Sequence, residues 1–209
     1  MPKINSRIGQ DEVVRHWNEN ASLWASQVRA GHDAYRKFYN NPAFLKFVGD
    51  LSGKEVLDAG CGEGHNTRIF ARQGARMIGA DLSPAMIALA CEEETREPLG
   101  IRYEIASFTE LAPFADASFD AVVSTMALMD GPDLPAAFPA LKRVLKPGAD
   151  LCFSVIHPCF GTKGFAWIRD ENGHEIALRQ AGYFDQTPWI SRWREHAPLF
   201  LYFRARRPG

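Results

Sequence analysis

Residues 55–64 read Glu-Val-Leu-Asp-Ala-Gly-Cys-Gly-Glu-Gly, an apolar run that closes on three alternate glycines, Gly60, Gly62 and Gly64. Lacking Cβ atoms, such a segment can turn sharply and let a ligand approach its backbone, while a helix beginning just beyond it presents free N–H groups. Two acids, Asp58 and Glu63, stand in the same stretch. Like charges at ~4 Å cost about 4 kcal/mol at an effective dielectric of 20, so these acids oppose a pyrophosphate and suit a cationic ligand. A dinucleotide loop of the form Gly-x-Gly-x-x-Gly would also place its third glycine where this chain has His65. Asp81 follows Gly60 by 21 positions, the spacing at which a carboxylate after the second strand accepts ribose hydroxyls.

The elements that carry these residues follow an α/β alternation. Strands are expected at Glu55–Ala59, Ala75–Ala80, Ile101–Ala106, Phe119–Thr125 and Ala149–Ile156, with helical stretches between them. One helix starts at Ser83 as cap and Pro84 as first residue, and ends before Pro98 and Gly100. Another carries Leu141, Val144 and Leu145 and stops at Lys146-Pro147-Gly148, with Pro139 near its start or kinking it. Sheets of this kind bind ligands beyond the carboxyl ends of their strands, where strand order reverses. Ahead of them, Val14, Trp17, Ala21, Trp24 and Val28 share one helix face, which serves either as packing surface or as a lid. Tyr35, Phe38 and Tyr39 and an Asn41-Pro42 break follow.

Taken together, Val56–Gly64, Gly79-Ala80-Asp81-Leu82-Ser83-Pro84, Pro113-Phe114 with Ser118-Phe119-Asp120, and Arg143–Gly148 resemble the core of a class I S-adenosylmethionine-dependent methyltransferase of the small-molecule type. The resemblance implies a doubly wound, mostly parallel sheet (a Rossmann-like methyltransferase fold) and S-adenosyl-L-methionine as cofactor. It implies that Asp58 and the backbone of Gly60, Cys61, Gly62 and Gly64 hold the methionine end, that Asp81 holds the ribose, and that Leu82 flanks the adenine. Ser107, followed by Phe108, stands where the family often has an aspartate for the adenine amine. Ser124, Thr125 and Met126 end the fourth strand, where backbone would meet the cofactor's amino group. Asp120 is expected to be structural.

Methyl transfer by in-line displacement needs a base only when the nucleophile arrives protonated, and His157, just past the fifth strand, is the candidate. The competing reading of His157 is a turn residue before Pro158. Phe165, Trp167, Tyr183, Phe184, Trp189 and Trp193 make an aromatic insertion at about residues 160–196, with a hairpin turn at Asp170-Glu171-Asn172-Gly173. These rings and Trp17 or Trp24 either enclose a flat or apolar small-molecule acceptor or merely pack. Residues 1–50 are read as an N-terminal helical cap and 51–209 as the cofactor-binding domain. Pro198–Arg207 resembles the family's last antiparallel strand, but the helix and strand that normally precede it are missing. Only His174–Ala181 offers a short helix. Such a shortened C-terminal part exposes a sheet edge, which favours a homodimer or a catalytically impaired relative.

Composition narrows the alternatives. The 209 residues carry 24 Lys+Arg against 25 Asp+Glu, a net charge of −1, so there is no global basic field for nucleic acid or an anionic membrane. Arg204, Arg206 and Arg207 are read as a solvated strand edge. No run reaches the ~20 apolar residues of a membrane span, and no secretory signal opens the chain, so the expected location is cytoplasmic. Cys61, Cys91, Cys152 and Cys159 form no Cys-x-x-Cys pair and read as reduced thiols, and His157-x-Cys159 alone is too few ligands for a metal. Two other functions stay open: a noncatalytic S-adenosylmethionine-binding protein and, less favoured, an NAD(P)-dependent oxidoreductase.

Overall fold

Runs that are apolar throughout, as in Val56-Leu57 or Ala121-Val122-Val123, make strands covered on both faces, because alternate side chains must find a core on opposite sides. The computed structural model describes residues 9–33, 36–131, 133–156, 166–179 and 200–209. Its main sheet has the order β3-β2-β1-β4-β5-β8, formed by β1 (Glu55–Ala59), β2 (Arg76–Asp81), β3 (Arg102–Ile105), β4 (Phe119–Thr125), β5 (Leu145–Ile156) and β8 (Phe200–Arg206). The pairs from β3 through β5 are parallel. Strand order therefore reverses between β1 and β4, and the crevice expected of such sheets lies beyond their carboxyl ends.

The helices are α1 (Gln10–Arg29), α2 (Asn41–Val48), α3 (His65–Arg72), α4 (Pro84–Arg96) and α5 (Leu134–Val144). Leu57 and Val122 enter one apolar cluster with Leu141 and Val144 of α5. Their strand neighbours Val56 and Val123 enter the other, with Phe44 and Val48 of α2 and Phe70 of α3. Each of the buried Leu, Val and Phe side chains contributes roughly 1.5–3 kcal/mol. Ser83 caps α4 by accepting Met86 N–H at 3.2 Å, as its sequence implies. Pro139 lies in the middle of α5 rather than at its start, so Pro135 C=O lacks an intrahelical donor there.

Helix α1 packs along α4: Asn18 Oδ1 accepts from Ser83 Oγ (2.7 Å) and Ala85 N (3.3 Å), and Arg29 reaches Glu93 at 3.2 Å. A π-helical turn, Arg36–Asn40, leads straight into α2, so the Asn41-Pro42 step begins a helix. At the sheet edge, Gly148 N donates to Arg207 O and Arg207 N to Ala149 O, both at 2.9 Å. With Gly148 at φ +78°, that is the bond pattern of a glycine bulge between antiparallel strands. The arginines of β8 are exposed, as expected of a solvated edge, and pair within the chain, Arg206 with Asp150 (2.7 Å) and Arg204 over the ring of Phe47 (5.0 Å).

The chain divides into two compact units, one of the residues up to Val155 with Tyr202–Gly209, the other Ile156–Leu201. The N-terminal helices belong to the first. In the second, β6 (Ala166–Arg169) and β7 (Glu175–Arg179) form an antiparallel hairpin. This corrects the short helix expected at His174–Ala181. Asp170 Oδ1 accepts the N–H groups of Asn172 (2.9 Å) and His174 (2.8 Å), Gly173 takes φ +83°, and the closed turn forces its flanks to pair. The rings of Tyr183, Phe184, Trp189 and Trp193 lie outside the described residues. No helix of the described residues is long and apolar enough to cross a membrane.

Candidate active site

The glycine segment folds back against β2: Gly60 N and Cys61 N both donate to Ala80 O, at 2.8 and 3.0 Å. Gly60 sits at φ +80° with Ala127 so close that a Cβ would collide with it, whereas a Cβ on Gly62 would enter open space. Asp81 closes the turn: its Oδ2 accepts Gly62 N–H and its Oδ1 Ser83 N–H, both at 2.9 Å. Two bonds leave about half of a carboxylate's acceptor capacity unspent. Burial raises the Asp81 pKa against the pull of these backbone donors.

Behind the turn, Asp58 is 1% exposed and accepts from Thr67 Oγ1 at 2.7 Å. Burial pushes its carboxyl up to about 6, the Thr67 bond opposes this, and the charge of Asp81 adds to it. Glu63, equally buried, meets Arg68 at 3.0 Å and Arg29 at 3.5 Å, and its Oε1 has no hydrogen-bond partner among the described residues. Arg36 is held by Asp33 (3.5 Å) and lies 5.3 Å from the centre of the Trp24 ring. Burial lowers its pKa, and Asp33, Glu63 and Asp58 hold it up.

The glycine turn, Asp58, Glu63, Asp81, Arg36 and Trp24 line one cleft of about 740 Å³, its open mouth included, together with Trp17, Leu82, Phe108, Thr125, Met126 and Asp130. Trp17 and Trp24 meet edge to face, with ring centroids 5.7 Å apart. Met126 turns the chain out of β4 at φ +57°, a left-handed conformation that costs a non-glycine residue of order 1–3 kcal/mol. Asp130 stands at the end of a 3-10 turn, Leu128–Asp130, and the protein around it pushes its carboxyl up to about 6. Four acids against one guanidinium suit a ligand of net positive charge that also carries a carboxylate, and the unpartnered Glu63 Oε1 can take a donor from it. S-adenosylmethionine, with a sulfonium, an ammonium, a carboxylate and a ribose diol, matches that set.

Of the expected site residues, Asp58, Gly60, Cys61, Gly62, Asp81, Leu82 and Phe108 line the cleft. Three others do not. Ser124 is fully buried and donates to Ala59 O at 2.6 Å, because strand alternation turns it away while Thr125 faces the cleft. Ser107 pairs with Thr109 Oγ1 at 2.7 Å within its own turn. Gly64 is covered by the Tyr103 phenol. His157 lies outside the described residues. Asp120 is structural, accepting from Lys146 Nζ (2.6 Å) and Glu55 N (2.9 Å). Sequence reasoning passed over Arg36, Asn66 and Asp130. Asp130 could have been found from the strand-end rule, whereas nothing local marks Arg36.

Residues 57–153 match a family model described as "Methyltransferase domain". Over 203 residues the chain is 31% identical to the ubiquinone biosynthesis O-methyltransferase of Alkalilimnicola ehrlichii, covering 91% of this chain and 79% of that protein. The protein of the same name from Hahella chejuensis is 38% identical over 120 residues, 56% of this chain and 50% of its own length. The chain thus spans about half the length of several curated relatives that it matches. A crystal structure of an S-adenosylmethionine-dependent methyltransferase from Mesorhizobium loti is similar with a TM-score of 0.61 at 29% identity, covering 69% of this chain and 65% of that one.

Proposed function

The chain belongs to the class I S-adenosylmethionine-dependent methyltransferases, and from that premise we propose that it transfers a methyl group to an oxygen of a small aromatic or apolar acceptor. One observation carries this reading: the glycine turn, Asp58 and Asp81 share a single cleft with Trp17 and Trp24. The names of its relatives, O-methyltransferases, support oxygen as the atom attacked.

The cofactor, when bound, supplies a methyl carbon already activated by the adjacent sulfonium. In this reading Asp81 spends its two free acceptor positions on the ribose diol. Leu82 and Phe108 flank the adenine. Asp58 and Glu63 set the negative potential that favours the cationic end, and Arg36 holds the carboxylate. The backbone of Gly62 leaves room for close approach, while Gly60 makes room for Ala127. Trp17 and Trp24 keep water from the acceptor and orient it, so that its oxygen waits in line for attack. A protonated hydroxyl needs a base, and two groups are proposed: Asp130 on the cleft wall, raised to about 6, and His157 just past β5. Either would carry the hydroxyl proton away as the new bond forms.

The test is incubation with S-adenosylmethionine bearing a labelled methyl group and a panel of phenols. Label is expected in the phenol, with one S-adenosylhomocysteine formed per methyl transferred. Tight cofactor binding without transfer to any acceptor would leave a noncatalytic binder.

A further inference from the structure

Two neutral side-chain oxygens at the strand ends, Thr125 Oγ1 and Ser154 Oγ, are buried without a hydrogen-bond partner among the described residues. Folded chains rarely leave such groups unpaired, so an adjacent pair of them points to a partner from outside the chain. Thr125 and Ser154 are direct neighbours in the β4–β5 register. Two positions earlier on the same strands, Val123 and Cys152 belong to the apolar cluster under α2. Side chains alternate along a strand, so both hydroxyls face that same side of the sheet. Thr125 is 8% exposed and lines the cleft, and Ser154 beside it is fully buried. Asn41 opens α2 and donates to Asn66, a residue of the cleft wall, at 2.8 Å. The two unpaired hydroxyls thus form a polar floor at the ends of β4 and β5, on the side of the sheet that α2 covers.

This floor is separate from the proposed cofactor contacts. The glycine turn follows β1 and Asp81 ends β2, whereas Thr125 and Ser154 end β4 and β5, on the other side of β1. Neither oxygen is charged, and a hydroxyl both donates and accepts. A neutral hydrogen-bonding group, such as a hydroxyl or a carbonyl, can satisfy both. We propose that Thr125 and Ser154 hold a hydroxyl or carbonyl of the acceptor other than the oxygen that is methylated, and so select acceptors with two polar groups. The proposal rests on the methyl-transfer reading. The competing occupant is an ordered water, which would satisfy the same atoms.

Calorimetric titration of the S-adenosylhomocysteine-saturated protein with phenol and with resorcinol separates these. Wild type is expected to bind resorcinol at least about tenfold more tightly than phenol, since a site built around a hydroxyl discriminates against its absence. The double variant Thr125→Val with Ser154→Ala should lose that preference while keeping its affinity for S-adenosylhomocysteine within about twofold. Because an isosteric apolar group then replaces an unpaired hydroxyl, ligand-free Thr125→Val should melt no lower than wild type. Four results overturn the proposal. Equal or absent binding of the two probes by wild type removes the selection. An unchanged preference in the double variant assigns the floor to water. A lower melting temperature makes Thr125 structural, and weakened S-adenosylhomocysteine binding moves the pair into the cofactor's subsite. Failure of wild type to bind S-adenosylhomocysteine at all is different, because it defeats the methyl-transfer reading first.

Discussion

Asp58 sits where two demands conflict. Burial favours its protonated form, and its carboxyl is raised from 3.8 to about 6, yet a cationic ligand needs it ionised. Without ligand the folded chain keeps a proton that the unfolded chain releases between pH ~4 and ~6, so this residue's contribution to stability falls as pH rises through that window. Binding of a cation runs the other way, because it draws on the ionised carboxylate that prevails above about 6. The affinity for S-adenosylmethionine, relative to S-adenosylhomocysteine with one positive charge fewer, should therefore fall several-fold between pH 7 and pH 5. Calorimetry at the two pH values checks this, and Asp58→Asn should flatten the ratio. Asp58 and Asp81 were legible in the sequence because their positions are tied to strand ends by spacing. Ser124 and Thr125 were not separable, since a strand end names two adjacent residues and only the pleat decides which of them faces the cleft.

Element packing explains a glycine that no turn requires. Gly79 lies inside β2, and a Cβ there would stand 2.6 Å from Tyr103 Cδ1 on β3 and 3.0 Å from Cys61 Sγ in the glycine turn. The Tyr103 ring thus covers β2 and Gly64 together, bracing the turn from the edge strand. Gly79→Ala is expected to destabilise the fold by about 1–3 kcal/mol, the usual cost of overpacking. Urea denaturation would read this, and the loss should largely disappear in a Tyr103→Ala background. The β3 edge is also tied at its entry, where Glu94 Oε1 accepts the N–H groups of Leu99 (2.7 Å), Gly100 (2.8 Å) and Ile101 (3.1 Å). The strands and the Ser83 cap were readable from apolar runs and cap chemistry. The turn of the hairpin at 166–179 was readable, but its second strand reads in the sequence as a short helix, because Glu175–Arg179 is too short for its period to separate helix from strand.

At the scale of the molecule, ligand linkage distinguishes the cofactors that a sheet of this order can bind. A ligand at a hundred times its Kd adds about 2.7 kcal/mol to stability. S-adenosylhomocysteine should accordingly raise the melting temperature by several degrees, whereas NADH, whose pyrophosphate would face Asp58, Glu63 and Asp81, should leave it unchanged. Differential scanning fluorimetry reads both, and a shift with NADH alone would reverse the assignment of the cleft. The parallel sheet, the glycine turn and the acid after the second strand follow from the amino-acid sequence itself, because backbone turning, strand burial and the reach of one βα unit are short-range constraints. The meeting of Arg36, Trp24, Asp130 and the Thr125–Ser154 pair in and beside one cleft was decided by tertiary structure alone. These residues come from separate helices, turns and strands, and no local rule says how far a helix packed on one face of a sheet will reach over the strand ends of its neighbours.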